Sequence, residues 1–206
     1  MNLFDTREEP TTLEELREFW KDCEKCSFAP ACKGPVLWDG TKEANVMFVG
    51  QYPGKQEEKL KQCYIGEHGK LCRKTAKSIA KIPVEEQFWT NVLSCRPLAG
   101  KISVKYISNC FDLLEAQIDI VKPKLIVIMG LLALTRLSKG GSKLGIEEMR
   151  RRPFGYNRNK TTCVVATFPA LWYRLEGQEE QQNIIGDKIR LDWEFVGNLY
   201  RRKKDE

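Results

Sequence analysis

The sequence predicts an α/β sandwich with a central, mostly parallel sheet of four strands. Four short apolar runs have the length and composition of buried strands, and enough chain for a helix separates each run from the next. Alternation of strands and helices is typical of parallel sheets covered on both faces. The predicted strands are residues 46–49, 88–93, 125–129 and 163–167, and helical spacing of apolar residues appears at 69–80, 105–121, 130–138 and 181–199.

An amphipathic helix is predicted ahead of the first strand. Thr12 and Glu15 have the spacing of a capping box, and apolar residues follow at helical spacing. This helix delivers Cys23 at its end. Proline and glycine residues then break residues 27–42 into a loop.

The ends of the strands are the expected place for a ligand. The first strand stops at Gly50, and Asn91 lies within the otherwise apolar second run. A buried asparagine is costly unless it is hydrogen-bonded, so Asn91 either ties down a neighbouring loop or reads a ligand. Ligands of parallel sheets bind at the carboxyl ends of the strands, so the residues after 49, 93 and 167 are expected to converge on one site.

The size and composition indicate a single domain over residues 1–206. The chain has 34 Lys and Arg against 28 Asp and Glu, a net charge of +6 that is compatible with a nucleic-acid partner. No apolar run is long enough for a membrane span and the N-terminus lacks a signal peptide, so we expect a cytoplasmic monomer outside the membrane. Residues 176–206 are predicted to form a helix and a basic, frayed tail, the helix packing through Ile184, Ile185, Ile189, Trp193 and Phe195.

Cysteine usage indicates a metal or redox role. Eight cysteines without an export signal are poorly explained by structural disulfides. A CxxC pair at a helix end and two downstream thiols can enclose either a tetrahedral zinc ion or a cubane iron–sulfur cluster, and spacing alone does not decide. A redox dithiol is disfavoured because this CxxC follows a helix and enters a loop. The four candidate ligands are Cys23, Cys26, Cys95 and Cys110.

Three other cysteines are interpreted differently. Cys32, in the loop after the CxxC pair, is a further candidate ligand. Cys72 and Cys163 lie in a predicted helix and strand, where a free cysteine usually serves as a small buried apolar residue.

Six segments, in order, resemble the family 4, iron–sulfur type of uracil-DNA glycosylase. They are VMFVGQYPG (46–54), CYIGEHG (63–69), TNVLSCRP (90–97), NCFDLLEAQI (109–118), KPKLIVIMG (122–130) and ATFPALWYR (166–174). The resemblance implies a three-layer α/β/α sandwich, a DNA substrate and hydrolysis of the N-glycosidic bond of an extruded base. It also implies that Cys23, Cys26, Cys95 and Cys110 hold a 4Fe-4S cluster, with zinc as the runner-up.

The same resemblance assigns the base site. Asn91 matches the residue that reads the pyrimidine edge, and Tyr64 replaces the phenylalanine on which the base stacks. The predicted base-binding residues are Gly50, Gln51, Tyr52, Tyr64, Asn91 and Phe168, and the predicted catalytic residues are Gln51, Asn91 and His68.

Two departures from the family motifs fall on the chemistry. Gln51 replaces a glutamate, and an amide can orient water but cannot accept its proton. Phe168 and Ala170 replace the histidine and serine that would stabilise charge on the leaving base. His68 is the preferred substitute, ahead of three glutamates that are expected to be solvated surface charges, namely Glu57, Glu58 and Glu67.

DNA contacts are predicted from the last motif and from a basic stretch before it. The last motif keeps Pro169 and Arg174, and it has Leu171, Trp172 and Tyr173 where the family places the wedge that enters the duplex. Arg150, Arg151 and Arg152 are candidates for phosphate contacts, with Lys143, Arg158 and Lys160 nearby.

Three functions follow from this pattern. The first is a DNA glycosylase acting on uracil or, given the altered site, on a modified pyrimidine of the kind found in phage DNA, in repair or in phage–host conflict. The second is a catalytically impaired DNA-binding protein that keeps the cluster, and the third is a covalent trap for an abasic sugar.

Overall fold

A computed structural model describes residues 9–26, 32–97, 104–138, 145–156, 161–166 and 179–206. The strands are β1 (Val46–Gly50), β2 (Gln87–Asn91), β3 (Leu125–Met129), β4 (Phe154–Tyr156) and β5 (Thr161–Ala166). The helices are α1 (Leu13–Trp20), α2 (Lys55–Leu60), α3 (Glu67–Ser78), α4 (Val104–Val121), α5 (Leu131–Leu137), α6 (Ile146–Met149) and α7 (Glu179–Lys204), and a 3-10 turn covers Val84–Glu86.

The strands form one sheet in the order β2-β1-β3-β5-β4. The four predicted strands are parallel to one another, which confirms the fold class. The predicted strand number is wrong by one, because β4 pairs antiparallel with β5 at the edge. β4 has only three residues, of which the central Gly155 is exposed, so no apolar run marks it in the sequence.

Helices cover both faces of the sheet, giving the predicted three layers. Every residue of β1 is buried, and its side chains alternate between two core clusters: Met47 and Val49 face one, Val46 and Phe48 the other. The first cluster includes residues of α1, α4 and α5, and the second includes residues of α3 and α7. Burial on both faces explains why this strand is uniformly apolar.

The predicted first helix and its cap are confirmed. The Thr12 hydroxyl accepts a hydrogen bond from the Glu15 backbone N–H at 3.2 Å, and the Glu15 carboxylate accepts one from the Thr12 N–H at 3.2 Å. This reciprocal pair satisfies two of the N–H groups that a helix leaves free at its start. Two short helices, α2 and α6, were not predicted, because segments of six and four residues are too short to show helical periodicity.

The C-terminal helix is longer than predicted. It continues to Lys204, so the expectation of a frayed end is wrong for residues 201–204, whose positive charges favour a helix C-terminus. Ile189 and Trp193 are buried as predicted, but Ile184 is 54% exposed. Trp193 lies nine positions after Ile184, which is about two and a half helical turns, so the two side chains point to opposite sides of the helix. None of the helices in the described ranges is long and apolar enough to cross a membrane.

Candidate functional site

Asn91 ends β2 directly beside Gly50 of β1, as the parallel register requires. The side chain of Asn91 is buried, and its Oδ1 lies 3.4 Å from the Tyr64 hydroxyl. A Cβ atom on Gly50 would lie 2.1 Å from that hydroxyl and 2.7 Å from Asn91 Oδ1, so only glycine fits there. The structure therefore brings Gly50, Tyr64 and Asn91 together at the carboxyl edge of the sheet.

Tyr64 is held in a left-handed backbone conformation, with φ of 57°. Arg73 of α3 donates hydrogen bonds to the carbonyl oxygens of Cys63 at 2.9 Å and Tyr64 at 3.3 Å, and it forms a salt bridge with Asp39. A Cβ on Gly69 would lie 2.3 Å from the Tyr64 carbonyl carbon, so this helix can approach only through glycine. These contacts offset a conformational cost of about 1–3 kcal/mol for a non-glycine residue at positive φ.

The Tyr64 side chain fills the space between the strand ends. Its ring packs at a tilt on Trp89, with 4.7 Å between centroids, and its hydroxyl also lies 3.2 Å from the carbonyl oxygen of Thr90. Burial raises the pKa of Tyr64 well above its ordinary value, so the hydroxyl remains a hydrogen-bond donor. Stacking of a base on this ring stays a prediction.

Cys63 is a site residue that the sequence analysis missed. It is fully buried, and its Sγ lies 4.0 Å from Asn91 Nδ2 and 3.5 Å from the carbonyl oxygen of Leu37. Burial raises the pKa of this thiol to about 12, so it keeps its proton at neutral pH. Its position directly before Tyr64 was the one available signal.

Gln51 contacts the start of α5. Its Oε1 accepts a hydrogen bond from the Leu132 backbone N–H at 3.3 Å, which satisfies an amide that the helix cannot. Gly130 has φ of 108°, and a Cβ there would lie 2.7 Å from Gln51 Cγ. The side chain of Gln51 is therefore engaged as a helix cap on the edge where the base site was predicted.

The remaining predicted groups differ in exposure. Tyr52 is 40% exposed, and His68 is exposed in the first turn of α3. The expectation of solvated glutamates holds for Glu67 and is wrong for Glu57 and Glu58, which are buried. Glu57 accepts a hydrogen bond from the Gly66 N–H at 2.8 Å, which joins α2 to the start of α3.

The four predicted ligand cysteines come from three elements that meet. Cys23 and Cys26 follow α1, Cys95 follows β2, and Cys110 lies within α4. Burial raises the pKa of Cys23 and Cys110, and the backbone N–H groups of Lys25 and Ser94, respectively, act in the opposite direction. Asn109 of α4 donates a hydrogen bond to the carbonyl oxygen of Lys25.

The thiols are close enough to affect one another electrostatically. Burial, followed by the neighbouring sulfurs of Cys32, Cys110 and Cys26, raises the pKa of Cys95. Burial also raises the pKa of Cys110, to about 11. Within the described ranges, no group of three or more His, Cys, Asp or Glu side chains is arranged around a point where one metal ion would bind.

The other cysteines are assigned by their contacts. Cys32 donates a hydrogen bond to the Arg96 carbonyl oxygen at 3.4 Å, beside Cys95. Cys72 and Cys163 are fully buried in the core, as predicted.

The prediction that Arg150 contacts phosphates is wrong. Its side chain is buried, with Nε 2.8 Å from Asp192 Oδ2, Nη2 2.9 Å from Asp192 Oδ1 and Nη1 2.9 Å from Glu147. Every guanidinium nitrogen is thus occupied within the protein. Arg151 and Arg152 are exposed, and Arg151 lies 3.7 Å from Asp192. Phe168, Pro169, Leu171, Trp172 and Arg174 lie outside the described residues.

Comparison with known proteins identifies the family. The model of the uracil DNA glycosylase superfamily matches residues 37–184, well over half of the chain. This chain belongs to the uracil DNA glycosylase superfamily. The matched range holds Asn91, Tyr64, Cys95 and Cys110, whereas Cys23 and Cys26 precede it.

Curated relatives within the superfamily are named type-4 uracil-DNA glycosylases. The protein of Sulfurisphaera tokodaii is 35% identical over 120 residues, 58% of this chain and 54% of the relative. That of Thermotoga maritima is 29% identical over 192 residues, 93% of this chain and 97% of the relative. That of Pyrobaculum aerophilum is 30% identical over 128 residues, 61% of this chain and 64% of the relative. The resemblance inferred from the six motifs is confirmed.

Proposed function

We propose that this protein is a DNA glycosylase that hydrolyses the N-glycosidic bond of uracil, or of a modified pyrimidine, after the base leaves the DNA stack. The observation that carries the proposal is the buried carboxamide of Asn91 at the carboxyl edge of β2, beside Gly50 and Tyr64. Family membership and the names of the relatives support it.

The carboxamide of Asn91 retains hydrogen-bonding capacity for a ligand. An asparagine has two acceptor lone pairs and two N–H donors. The contacts with Tyr64 and Cys63 use one lone pair and one N–H. Among the described residues, one acceptor and one donor therefore remain, which is the set needed to bind two adjacent polar atoms on a pyrimidine edge.

Water activation is assigned to Gln51, with His68 as the candidate that can transfer a proton. The Oε1 of Gln51 is bonded to Leu132, which leaves its amide N–H groups to orient a water molecule. An amide cannot remove a proton, so Gln51 orients the water molecule and the proton transfer is assigned to His68. His68 lies in the first turn of α3, the helix whose Gly69 contacts Tyr64.

We propose that Cys23, Cys26, Cys95 and Cys110 hold a 4Fe-4S cluster. Soft thiolates are the groups that bind such clusters, and the four cysteines come from three neighbouring parts of the fold, with Asn109 of α4 bonded to the carbonyl oxygen of Lys25 between Cys23 and Cys26. Four thiolates on one zinc ion would lie about 4 Å apart, from bonds of about 2.3 Å, whereas the thiolates of a cubane bind different irons and surround a larger volume. When bound, the cluster cross-links α1, α4 and the segment after β2. Cys95 is four residues after Asn91, so this cross-link fixes the strand end that carries the carboxamide.

Base release can be measured directly. Protein reconstituted with iron and sulfide is incubated with duplexes containing uracil, 5-hydroxymethylated or glucosylated pyrimidines, and alkali then breaks strands at abasic sites. Breakage of the uracil duplex is expected; breakage of a modified duplex would extend the substrate to the phage-type bases that Tyr64 and Phe168 suggest. If no duplex is broken, the protein is not a glycosylase for these bases.

The bonding of Gln51 favours a second candidate, a DNA-binding protein without hydrolysis. A side chain used as a helix cap is less available to water than a free one. For this candidate, DNA affinity would fall steeply with salt concentration, while no base would be released from any duplex.

A further inference from the structure

The carboxamide of Asn91 has a different neighbour at each end: its oxygen faces the Tyr64 hydroxyl and its nitrogen faces the Cys63 sulfur. We infer that Cys63 and Tyr64 are positioning residues that hold this carboxamide in one orientation, so that the site selects 4-keto pyrimidines over 4-amino pyrimidines. This inference rests on the proposed function, because it assumes that Asn91 reads the base.

Cys63 fixes the nitrogen end. A thiol has a single proton, and the Cys63 proton is directed at the carbonyl oxygen of Leu37, 3.5 Å away. The sulfur therefore presents lone pairs to its other neighbour. Those lone pairs accept from the amide nitrogen of Asn91 and would repel its oxygen, so rotating the carboxamide by half a turn is disfavoured.

Tyr64 fixes the oxygen end. Its hydroxyl has one proton, shared between the Thr90 carbonyl oxygen at 3.2 Å and Asn91 Oδ1 at 3.4 Å. The ring cannot easily withdraw, because Trp89 supports it, Gly50 leaves space only for the hydroxyl, and Arg73 holds both backbone carbonyls of the Cys63–Tyr64 segment. Both contacts come from adjacent residues, Cys63 and Tyr64, whose backbone carbonyls are bonded to Arg73. The two contacts therefore favour the same orientation of the carboxamide.

A fixed carboxamide distinguishes two classes of base. The 4-keto pyrimidines offer a ring N–H beside a carbonyl oxygen, whereas the 4-amino pyrimidines offer a ring nitrogen acceptor beside an amino group. One orientation of the carboxamide matches one class and leaves mismatched groups against the other. The names of the relatives indicate the keto class. Because the mismatched groups are buried, we expect discrimination on the order of 100-fold.

Binding to uncleavable DNA tests the inference. Two duplexes carry 2′-fluoro-2′-deoxyuridine or 2′-fluoro-2′-deoxycytidine opposite an abasic-site analogue, so neither base loses a pairing partner when it is extruded. The wild-type protein is expected to prefer the uridine duplex by about 100-fold. The double variant Cys63→Ala, Tyr64→Phe removes the thiol and the hydroxyl but keeps the aromatic ring, and its preference should fall below about 10-fold.

A matched control separates positioning from general disruption. The double variant Cys163→Ala, Tyr200→Phe removes the same atoms from a fully buried cysteine of β5 and a buried tyrosine of α7. It should keep the wild-type preference, and circular dichroism with thermal melting should show both variants folded.

The outcomes separate this inference from the proposed function. A Cys63, Tyr64 variant that keeps the wild-type preference overturns the inference, as does a wild-type protein that binds both duplexes equally or neither. Preferential binding without release of uracil would leave the positioning role intact and refute glycosylase activity. Release of uracil, together with an unchanged binding preference in the Cys63, Tyr64 variant, would support glycosylase activity and refute the positioning role.

Discussion

Asn91 and Arg150 are both buried polar side chains, and the sequence suggested a DNA contact for each. Their surroundings differ. Arg150 makes close hydrogen bonds of 2.8 and 2.9 Å to Asp192 and of 2.9 Å to Glu147, which occupy all its nitrogens. Asn91 makes two longer contacts, of 3.4 and 4.0 Å, and among the described residues it keeps one donor and one acceptor without a partner. A buried group whose hydrogen bonds are all made within the protein serves the fold, whereas the remaining donor and acceptor of Asn91, at a strand end, support the proposal that it binds a ligand.

The two groups also differ in what removing a partner leaves behind. Asp192 is fully buried and pairs with a buried guanidinium that joins the α6 region to α7. Tyr64 and Cys63 each have another partner besides Asn91, the carbonyl oxygens of Thr90 and Leu37, to which they donate. Loss of the Asp192 carboxylate therefore removes the buried partner of the Arg150 charge. Loss of the Asn91 side chain leaves Tyr64 and Cys63 each with another partner. Mutation of each residue tests this difference.

The largest expected effect is on stability, for Asp192→Ala. The variant should lose about 3 kcal/mol of unfolding free energy, because the buried Arg150 guanidinium keeps only the exposed Glu147 as a carboxylate partner. Urea denaturation followed by circular dichroism measures the loss. The matched control is Glu194→Ala, which removes a carboxylate from an exposed pair with Arg190 on the same helix and should cost less than about 1 kcal/mol. Equal losses in the two variants would show that the Arg150 pair is not structural.

The next effect is on activity, for Asn91→Ala. Uracil release should fall by about 10²- to 10³-fold, because the leaving base loses preorganised hydrogen bonds. The free energy of unfolding should change by less than about 2 kcal/mol, because Tyr64 and Cys63 keep their other partners. Single-turnover base release and urea denaturation measure the two quantities. A large loss of stability with little loss of activity would place Asn91 with Arg150, as a structural group.

Gln51 lies between these two cases, because it caps a helix at the edge of the site. Gln51→Ala should lower the unfolding free energy by about 1 kcal/mol through the loss of the cap on Leu132. Gln51→Glu keeps an acceptor at the helix start and adds a group that can take a proton, so it should raise base release by about 10-fold or more at unchanged stability. If Gln51→Glu leaves the rate unchanged, water activation by this residue does not limit the reaction.

The sequence predicted what local patterns determine. The four parallel strands follow from apolar runs, and the meeting of Gly50 with Asn91 follows from the rule that parallel strands end at one edge. The family motifs then predicted that Asn91 is the base-reading group, and this stays a prediction. Such inferences need no knowledge of which distant side chains touch.

Contacts between distant residues explain what the sequence did not predict. Arg150 looked like part of an exposed basic run because its partner, Asp192, is 42 residues away. The contact of Cys63 with Asn91 depends on a positive φ at Tyr64 and on the hydrogen bond from Arg73 to the Cys63 carbonyl oxygen. Neither feature produces a periodic pattern in the sequence. β4 is too short to show alternation.

The smallest expected effect is that of Glu86, whose carboxylate is partly exposed and so differs from the fully buried carboxylate of Asp192. Burial acts to raise its pKa, but hydrogen bonds from Lys204 at 2.6 Å and Asn45 at 3.0 Å outweigh burial and lower the pKa below its ordinary 4.5. A carboxylate with a lowered folded pKa stabilises the protein above pH 4.5, and that contribution is lost as pH falls through the folded pKa. Glu86→Gln should therefore cost less than about 1 kcal/mol at pH 7 and progressively less in acid. Urea denaturation from pH 7 to pH 3 measures the difference from wild type. A difference that grows in acid would contradict the assigned sign, and a cost as large as that of Asp192→Ala would show that exposure does not separate these groups.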